Sequence, residues 1–100
     1  MSVKDLTTKF ATACASVQIR ARMDKSVDEN ALTQVNQLLS EASAVFEGDP
    51  LISREFVRHG LLLFMGLLAE AEHARNEEKK GRLLEVAWDV AERLRKVLEQ

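Results

Sequence analysis

The sequence predicts an all-α protein, an antiparallel up-and-down bundle of four helices. Helix-breaking residues are rare, since the 100 residues include one proline and four glycines. Alternating apolar and polar runs of the kind that form β-strands are nearly absent, and helix start and stop signals recur at intervals of roughly 25 residues. We therefore expect a single helical domain over residues 1–100, with helices at about 3–23, 27–47, 50–75 and 77–99.

The first two helices are predicted from their caps and their apolar faces. Ser2 can cap the first helix, whose apolar residues recur at spacings of three and four positions. Ser26 and Glu29 form a capping box, which predicts that the second helix begins near residue 27. The apolar positions of the second helix fall within an arc of roughly 140°. Because Leu39 lies near the centre of that arc, we expect it to be buried.

The last two helices are separated by a polar stretch of the chain. Gly48 can end the second helix, and Asp49-Pro50 can begin the third. Asn76 can cap the fourth helix, which leaves helices of similar length; in the alternative, the third helix continues through residues 79–81. The apolar arc of the fourth helix covers roughly 200°, so we expect this helix to contact two others.

The connections between the helices favour the up-and-down arrangement. They are short and contain no glycine-rich linker, and short turns leave successive helices as neighbours. The main alternative is a pair of long helical hairpins that complete their core only by dimerisation. A helix-pair repeat is less favoured, because the chain has no internal self-similarity at a period of about 34 residues.

Charge and composition argue against several classes of function. Fourteen basic and sixteen acidic side chains give a formal net charge of -2, whereas nucleic-acid binding usually needs a clustered basic surface. The longest apolar run, residues 60–69, is about half of the ~20 residues that a membrane span requires. The single cysteine, Cys14, and the lack of a secretory signal predict a cytoplasmic protein.

Acidic and histidine residues in the third helix suggest a metal site as an alternative function. Glu70 and His73 have the Glu-x-x-His spacing with which ferritin-like bundles place two ligands on one helical face, and Glu77 follows one turn later. Such a site needs further carboxylates inside the core, yet the apolar arcs of the other helices contain none. A symmetric oligomer could double the motif and assemble a site between subunits.

No arrangement of residues in the sequence is typical of an enzyme. Glu55 and His59 are four positions apart and could couple a carboxylate to an imidazole, but no serine or cysteine is placed to act as their nucleophile. Cys14 lies on the predicted buried face of the first helix, where an apolar setting makes a thiol unreactive. We therefore expect neither an enzyme nor a bound cofactor.

The third helix is the candidate interaction element, because apolar residues interrupt its polar half as well as filling its core-facing half. A two-fold axis near Met65 would align two such helices antiparallel and place Leu62 against Ala69 of the second copy. Arg58 would then lie beside Glu72, so that opposite charges flank an apolar centre. The predicted interface comprises Arg58, Leu62, Met65, Gly66, Ala69 and Glu72.

Two further features are candidates for contact with a partner. Ala15, Ile19 and Met23 form a fainter apolar stripe on the first helix. Trp88 lies at the edge of the apolar arc of the fourth helix, and aromatic residues in such positions frequently anchor a partner. The sequence therefore predicts a small cytosolic helical module for protein–protein interaction, a regulator, adaptor or chaperone-like protein, that forms a homodimer through its third helix and binds another protein.

Overall fold

The computed structural model describes residues 2–46 and 54–99 of the chain. These residues form four helices and no strand: α1 (Val3–Asp24), α2 (Glu29–Val45), α3 (Arg54–His73) and α4 (Glu77–Leu98). The predicted all-α four-helix bundle is confirmed. The signals at Gly48 and at Asp49-Pro50 lie outside the described residues.

Two of the predicted helix caps are present as expected. The Ser2 hydroxyl accepts a hydrogen bond from the backbone N–H of Asp5 at 3.1 Å, and the Asn76 side chain accepts one from the N–H of Lys79 at 3.0 Å. Asn76 therefore begins α4, and α3 ends at His73. The alternative in which the third helix continues through residues 79–81 is wrong.

The predicted cap of the second helix is wrong. Asp28, not Ser26, caps α2, since its carboxylate accepts from the backbone N–H of Ala31 at 3.1 Å. The chain reverses before this cap at Lys25, which adopts the left-handed conformation with φ 60°. Ser26 consequently lies in the turn, where its hydroxyl donates to the Asp24 carboxylate. That hydrogen bond is the main reason why the pKa of Asp24 falls below its ordinary value.

The helices pack as two antiparallel hairpins, α1–α2 and α3–α4, placed side by side. α1 contacts α3, and α2 contacts α4. The α1–α3 contact is parallel, because Phe10 stacks on Phe56 near the start of both helices, with ring centroids 4.2 Å apart, while Lys25 reaches Glu70 near their ends. The chain therefore runs alternately up and down.

The second and third helices lie across a diagonal of the bundle. Their contact is at most marginal, although α1–α2 and α3–α4 are neighbours as expected. The expectation that all successive helices are neighbours fails at this one connection.

A single apolar core occupies the space between the four helices. Leu39 is 2% exposed, as predicted from its helical face. Phe46 packs edge-on against Phe56, with ring centroids 5.6 Å apart, and Phe10 stacks on the same ring. No polar or charged residue in the described part of the chain is buried. Because one chain encloses this core, the alternative of hairpins that complete their core by dimerisation does not describe the fold.

Ion pairs join the two hairpins at the end of the bundle where both helical turns lie. Lys25 Nζ is 2.9 Å from Glu70 Oε1, and Arg82 Nη2 is 2.6 Å from Glu29 Oε1. The Arg82–Glu29 pair is the more exposed of the two, and exposed pairs stabilise a protein by about 0–1 kcal/mol each. Their main effect here is to hold the parallel register of α1 with α3 and of α2 with α4.

Candidate interaction surface

The side of α3 that faces away from the core carries a line of exposed residues at alternating spacings of four and three. Leu62 and Met65 at its centre are 51% and 61% exposed. No other helix of the described chain covers them, so they are not core residues. We call this line the α3 stripe; it comprises Arg58, Leu62, Met65, Ala69 and Glu72.

The α3 stripe is not needed to fill the core, because the opposite side of α3 already does so. That side is buried against α1 and α4. Its buried residues are Phe56, Gly60, Leu63, Leu67 and Ala71. The apolar residues of the stripe are therefore additional to what the bundle requires.

The charged residues at the two ends of the α3 stripe have opposite signs. Arg58 lies 3.6 Å from Glu55 in a pair whose side chains are both more than 60% exposed. Glu72, at the other end, is exposed and has no ion-pair partner in the part of the chain that the structure describes. The stripe is thus positive at one end, apolar in the middle and negative at the other end.

Gly66 lies beside the α3 stripe rather than within it. It packs against α1, where a Cβ atom at this position would be 2.0 Å from Gln18 Oε1. The absence of a side chain at Gly66 therefore accommodates the amide of Gln18 from the same chain. The sequence suggested instead that Gly66 would let a second copy approach.

A groove of about 360 Å³ runs between α1 and α3, on the side of Gly66. We call it the α1–α3 groove. Gln18, Arg22 and His59 are its polar lining residues. Its apolar lining residues are Ala11, Cys14, Ala15, Leu62, Leu63 and Gly66.

The sequence did not predict this groove, because its existence depends on α1 and α3 being neighbours. Of the fainter stripe on the first helix, Ala15 lines the groove, whereas Ile19 and Met23 are exposed on α1 outside it. The only signal in the sequence was the clustering of small residues, Ala11 and Ala15 on α1 and Gly66 on α3.

Exposed apolar residues of three helices lie at similar heights along the bundle. Trp88 on α4 is 60% exposed and meets Phe64 of α3 edge-on, with ring centroids 5.1 Å apart. Ile19 of α1, next to Gln18 in the chain, is also exposed. Trp88 thus adds exposed apolar surface beside the middle of α3, of the kind that protein partners contact.

The structure does not bring the candidate metal ligands together. The Glu70 carboxylate, 15% exposed, contacts Lys25 and lies 3.9 Å from Arg22. Because α3 ends at His73, Glu77 belongs to the first turn of α4 and does not continue the face of Glu70. Within the described residues, no group of three or more His, Cys, Asp and Glu side chains is placed to hold a metal ion.

Glu55 and His59 form a surface pair, with 3.9 Å between the Glu55 carboxylate and His59 Nε2. His59 and Cys14 both line the α1–α3 groove. Burial raises the pKa of the Cys14 thiol to about 12, whereas a catalytic cysteine needs a lowered pKa. The groove is therefore suited to binding apolar side chains rather than to nucleophilic chemistry.

None of the helices in residues 2–46 and 54–99 has the length and apolar character of a membrane span. No family model matches the chain, and neither the curated proteins nor the solved structures include a match.

Proposed function

We propose that this chain is a small helical module for protein–protein interaction, a regulator, adaptor or chaperone-like protein of a reducing compartment such as the cytoplasm, that forms a homodimer through the α3 stripe. The observation that supports this proposal is the exposed apolar centre of the stripe on a helix whose opposite side already fills the core. The free, buried thiol of Cys14 is compatible with a reducing compartment.

The charges of the α3 stripe favour a second copy of the same chain as the partner. In an antiparallel pair with a two-fold axis near Met65, Arg58 of each copy lies beside Glu72 of the other. In a parallel pair, each of these charges would face its own equivalent, and like charges across an interface are unfavourable. The alternating spacings of four and three are those with which two helices pack along a shared apolar seam.

The decisive variant is Met65→Glu, since it places a carboxylate next to its own symmetry mate at the two-fold axis. We expect the parent protein to be a dimer by light scattering and analytical ultracentrifugation, and the variant to be a monomer with an unchanged helical circular dichroism spectrum. Met23→Glu is the matched control, because Met23 is 77% exposed on α1, outside the stripe. A parent that stays monomeric across a concentration series contradicts the homodimer, and a Met65→Glu variant that stays dimeric contradicts the α3 stripe as its interface.

A charge exchange tests the antiparallel orientation. Arg58→Glu should weaken the dimer, because it places two carboxylates together at each end of the interface. Adding Glu72→Arg should restore the dimer, since the pairs are then reversed but again opposite in sign. Sedimentation equilibrium gives the dissociation constants of the parent, single and double variants. An orientation in which these residues do not meet would show no restoration.

A further inference from the structure

The α1–α3 groove adjoins the α3 stripe, with only Leu62 common to both. Its lining residues run from Ala11 to Arg22 along α1 and from His59 to Gly66 along α3. The eleven helical steps from Ala11 to Arg22 correspond to about 16 Å, or three helical turns. The groove therefore has the length of a short helix that packs alongside α1 and α3.

The ionisable residues at the two ends of the groove are basic. Arg22, whose side chain is 72% exposed, is at one end, and His59 is at the other. The nearby carboxylates are already engaged: Glu70 is 2.9 Å from Lys25 Nζ, and Glu55 is 3.9 Å from His59 Nε2. Arg22 Nε is itself 3.9 Å from Glu70 Oε2, but because the Arg22 side chain is largely exposed, its other guanidinium N–H groups can pair with an acidic residue from outside.

The side chain of Gln18 lies over part of the groove floor. Its amide packs directly on Gly66, and its Oε1 atom is buried without a hydrogen-bond donor from the described chain. A buried oxygen without a donor is unfavourable. Rotation of Gln18 into solvent hydrates this oxygen but costs the packing of the amide on Gly66. The rotation uncovers an apolar floor at Gly66, so the groove can open without movement of the helix backbones.

We infer that the α1–α3 groove binds an amphipathic helix of another protein, with an apolar side that replaces the Gln18 amide over Gly66 and an acidic residue that pairs with Arg22. This inference rests on the proposed function as an interaction module and names the chemistry of its partner. Ala15 and Leu62 form the two walls against which the apolar side of that helix packs.

The test uses the full chain and a synthetic peptide of about four helical turns, with leucines on one side and glutamates at the flanking positions. A twin peptide has lysine in place of every glutamate. In ¹⁵N-resolved titrations, we expect the acidic peptide to shift the amide signals of Ala11, Ala15 and Gly66, and the lysine twin to bind at least about tenfold more weakly. Absence of binding by the acidic peptide, or equal binding of the two peptides, overturns the inference.

Two matched variants locate the site. Ala15→Glu should weaken peptide binding by about tenfold or more, whereas Ala44→Glu, at an exposed alanine of α2, should leave it unchanged. If both variants behave alike, the groove is not the binding site. Gln18→Ala should strengthen binding, because no amide then has to leave the groove, and a weaker affinity would contradict the role given to Gln18.

The oligomeric state separates this inference from the homodimer proposal. Ala15→Glu should remain as dimeric as the parent, and Met65→Glu should bind the acidic peptide as the parent does. If Met65→Glu abolishes peptide binding, the peptide occupies the α3 stripe, and the groove is not a separate site. If Met65→Glu stays dimeric while Ala15→Glu loses the peptide, the α3 stripe is not the dimer interface, and the groove inference stands.

Discussion

α2 and α3 lie across a diagonal of the same bundle, and they differ in how they use the side that faces solvent. Both bury one apolar side in the core. The exposed side of α2 is polar through its middle, with residues such as Thr33, Gln34 and Gln37, whereas that of α3 includes Leu61, Leu62 and Met65. Core packing therefore accounts for the distribution of apolar residues along α2, but in α3 it accounts only for the apolar residues on the core-facing side. An exposed apolar surface that folding does not require is the informative part of the molecule.

The largest expected effect compares two leucines, one from each helix. Leu39→Ala on α2 should lower the free energy of unfolding by about 2–5 kcal/mol, because it leaves a cavity in a packed core. Leu62→Ala on α3 should lower it by less than about 1 kcal/mol, because Leu62 is half-exposed. Urea titrations of each variant in the Met65→Glu background measure these two losses in the free energy of unfolding without a contribution from dimerisation. Equal losses would show that the two helices do not differ in this way.

Two glycines of α3 sharpen the comparison between its core side and the side that packs against α1. A Cβ at Gly60 would lie 3.0 Å from Leu94 Cδ2 and 3.6 Å from Phe10 in the core, so Gly60→Ala should overpack and cost about 1 kcal/mol or more. A Cβ at Gly66 meets only the end of the flexible Gln18 side chain. Gly66→Ala should therefore stabilise the helix by about 0.5–1 kcal/mol. Thermal unfolding should give a melting temperature below that of the parent for Gly60→Ala and above it for Gly66→Ala.

The smallest expected effect concerns the start of α2. Asp28→Ala should cost about 1 kcal/mol, because it removes the acceptor for the N–H of Ala31. Ser26→Ala should cost less than about 0.5 kcal/mol, because the Ser26 hydroxyl bonds to the exposed Asp24 in the turn. Chemical denaturation of the two single variants checks the order. A larger loss of stability for Ser26→Ala than for Asp28→Ala would show that Ser26 caps α2.

The features that the sequence predicted are those that depend on neighbouring residues in the chain. The caps at Ser2 and Asn76 and the burial of Leu39 follow from local spacing, and all three are present. The cap at Ser26 was wrong because two competing acceptors, Ser26 and Asp28, lie within one turn, and the backbone reversal at Lys25 decides between them.

The features that the sequence did not predict depend on which helices are neighbours. Helical periodicity identifies the apolar side of each helix but does not specify which other helix covers it. The diagonal placement of α2 and α3 and the contact of Gln18 with Gly66 both follow from which helices pack together. The α3 stripe could be identified from the sequence because apolar residues interrupt the polar half of the third helix, a pattern that lies within one helix.

The buried thiol beneath the α1–α3 groove makes the opening of that groove measurable by chemistry. Cys14 is 5% exposed, and burial raises its pKa from 9.0 to about 12. This rise leaves very little thiolate at neutral pH in the folded protein. Alkylation of the folded protein must therefore proceed through conformations in which the floor of the groove is transiently exposed. The rate of iodoacetamide modification thus reports how often those conformations form, without any label added to the protein, and a helix bound in the groove should slow that rate further.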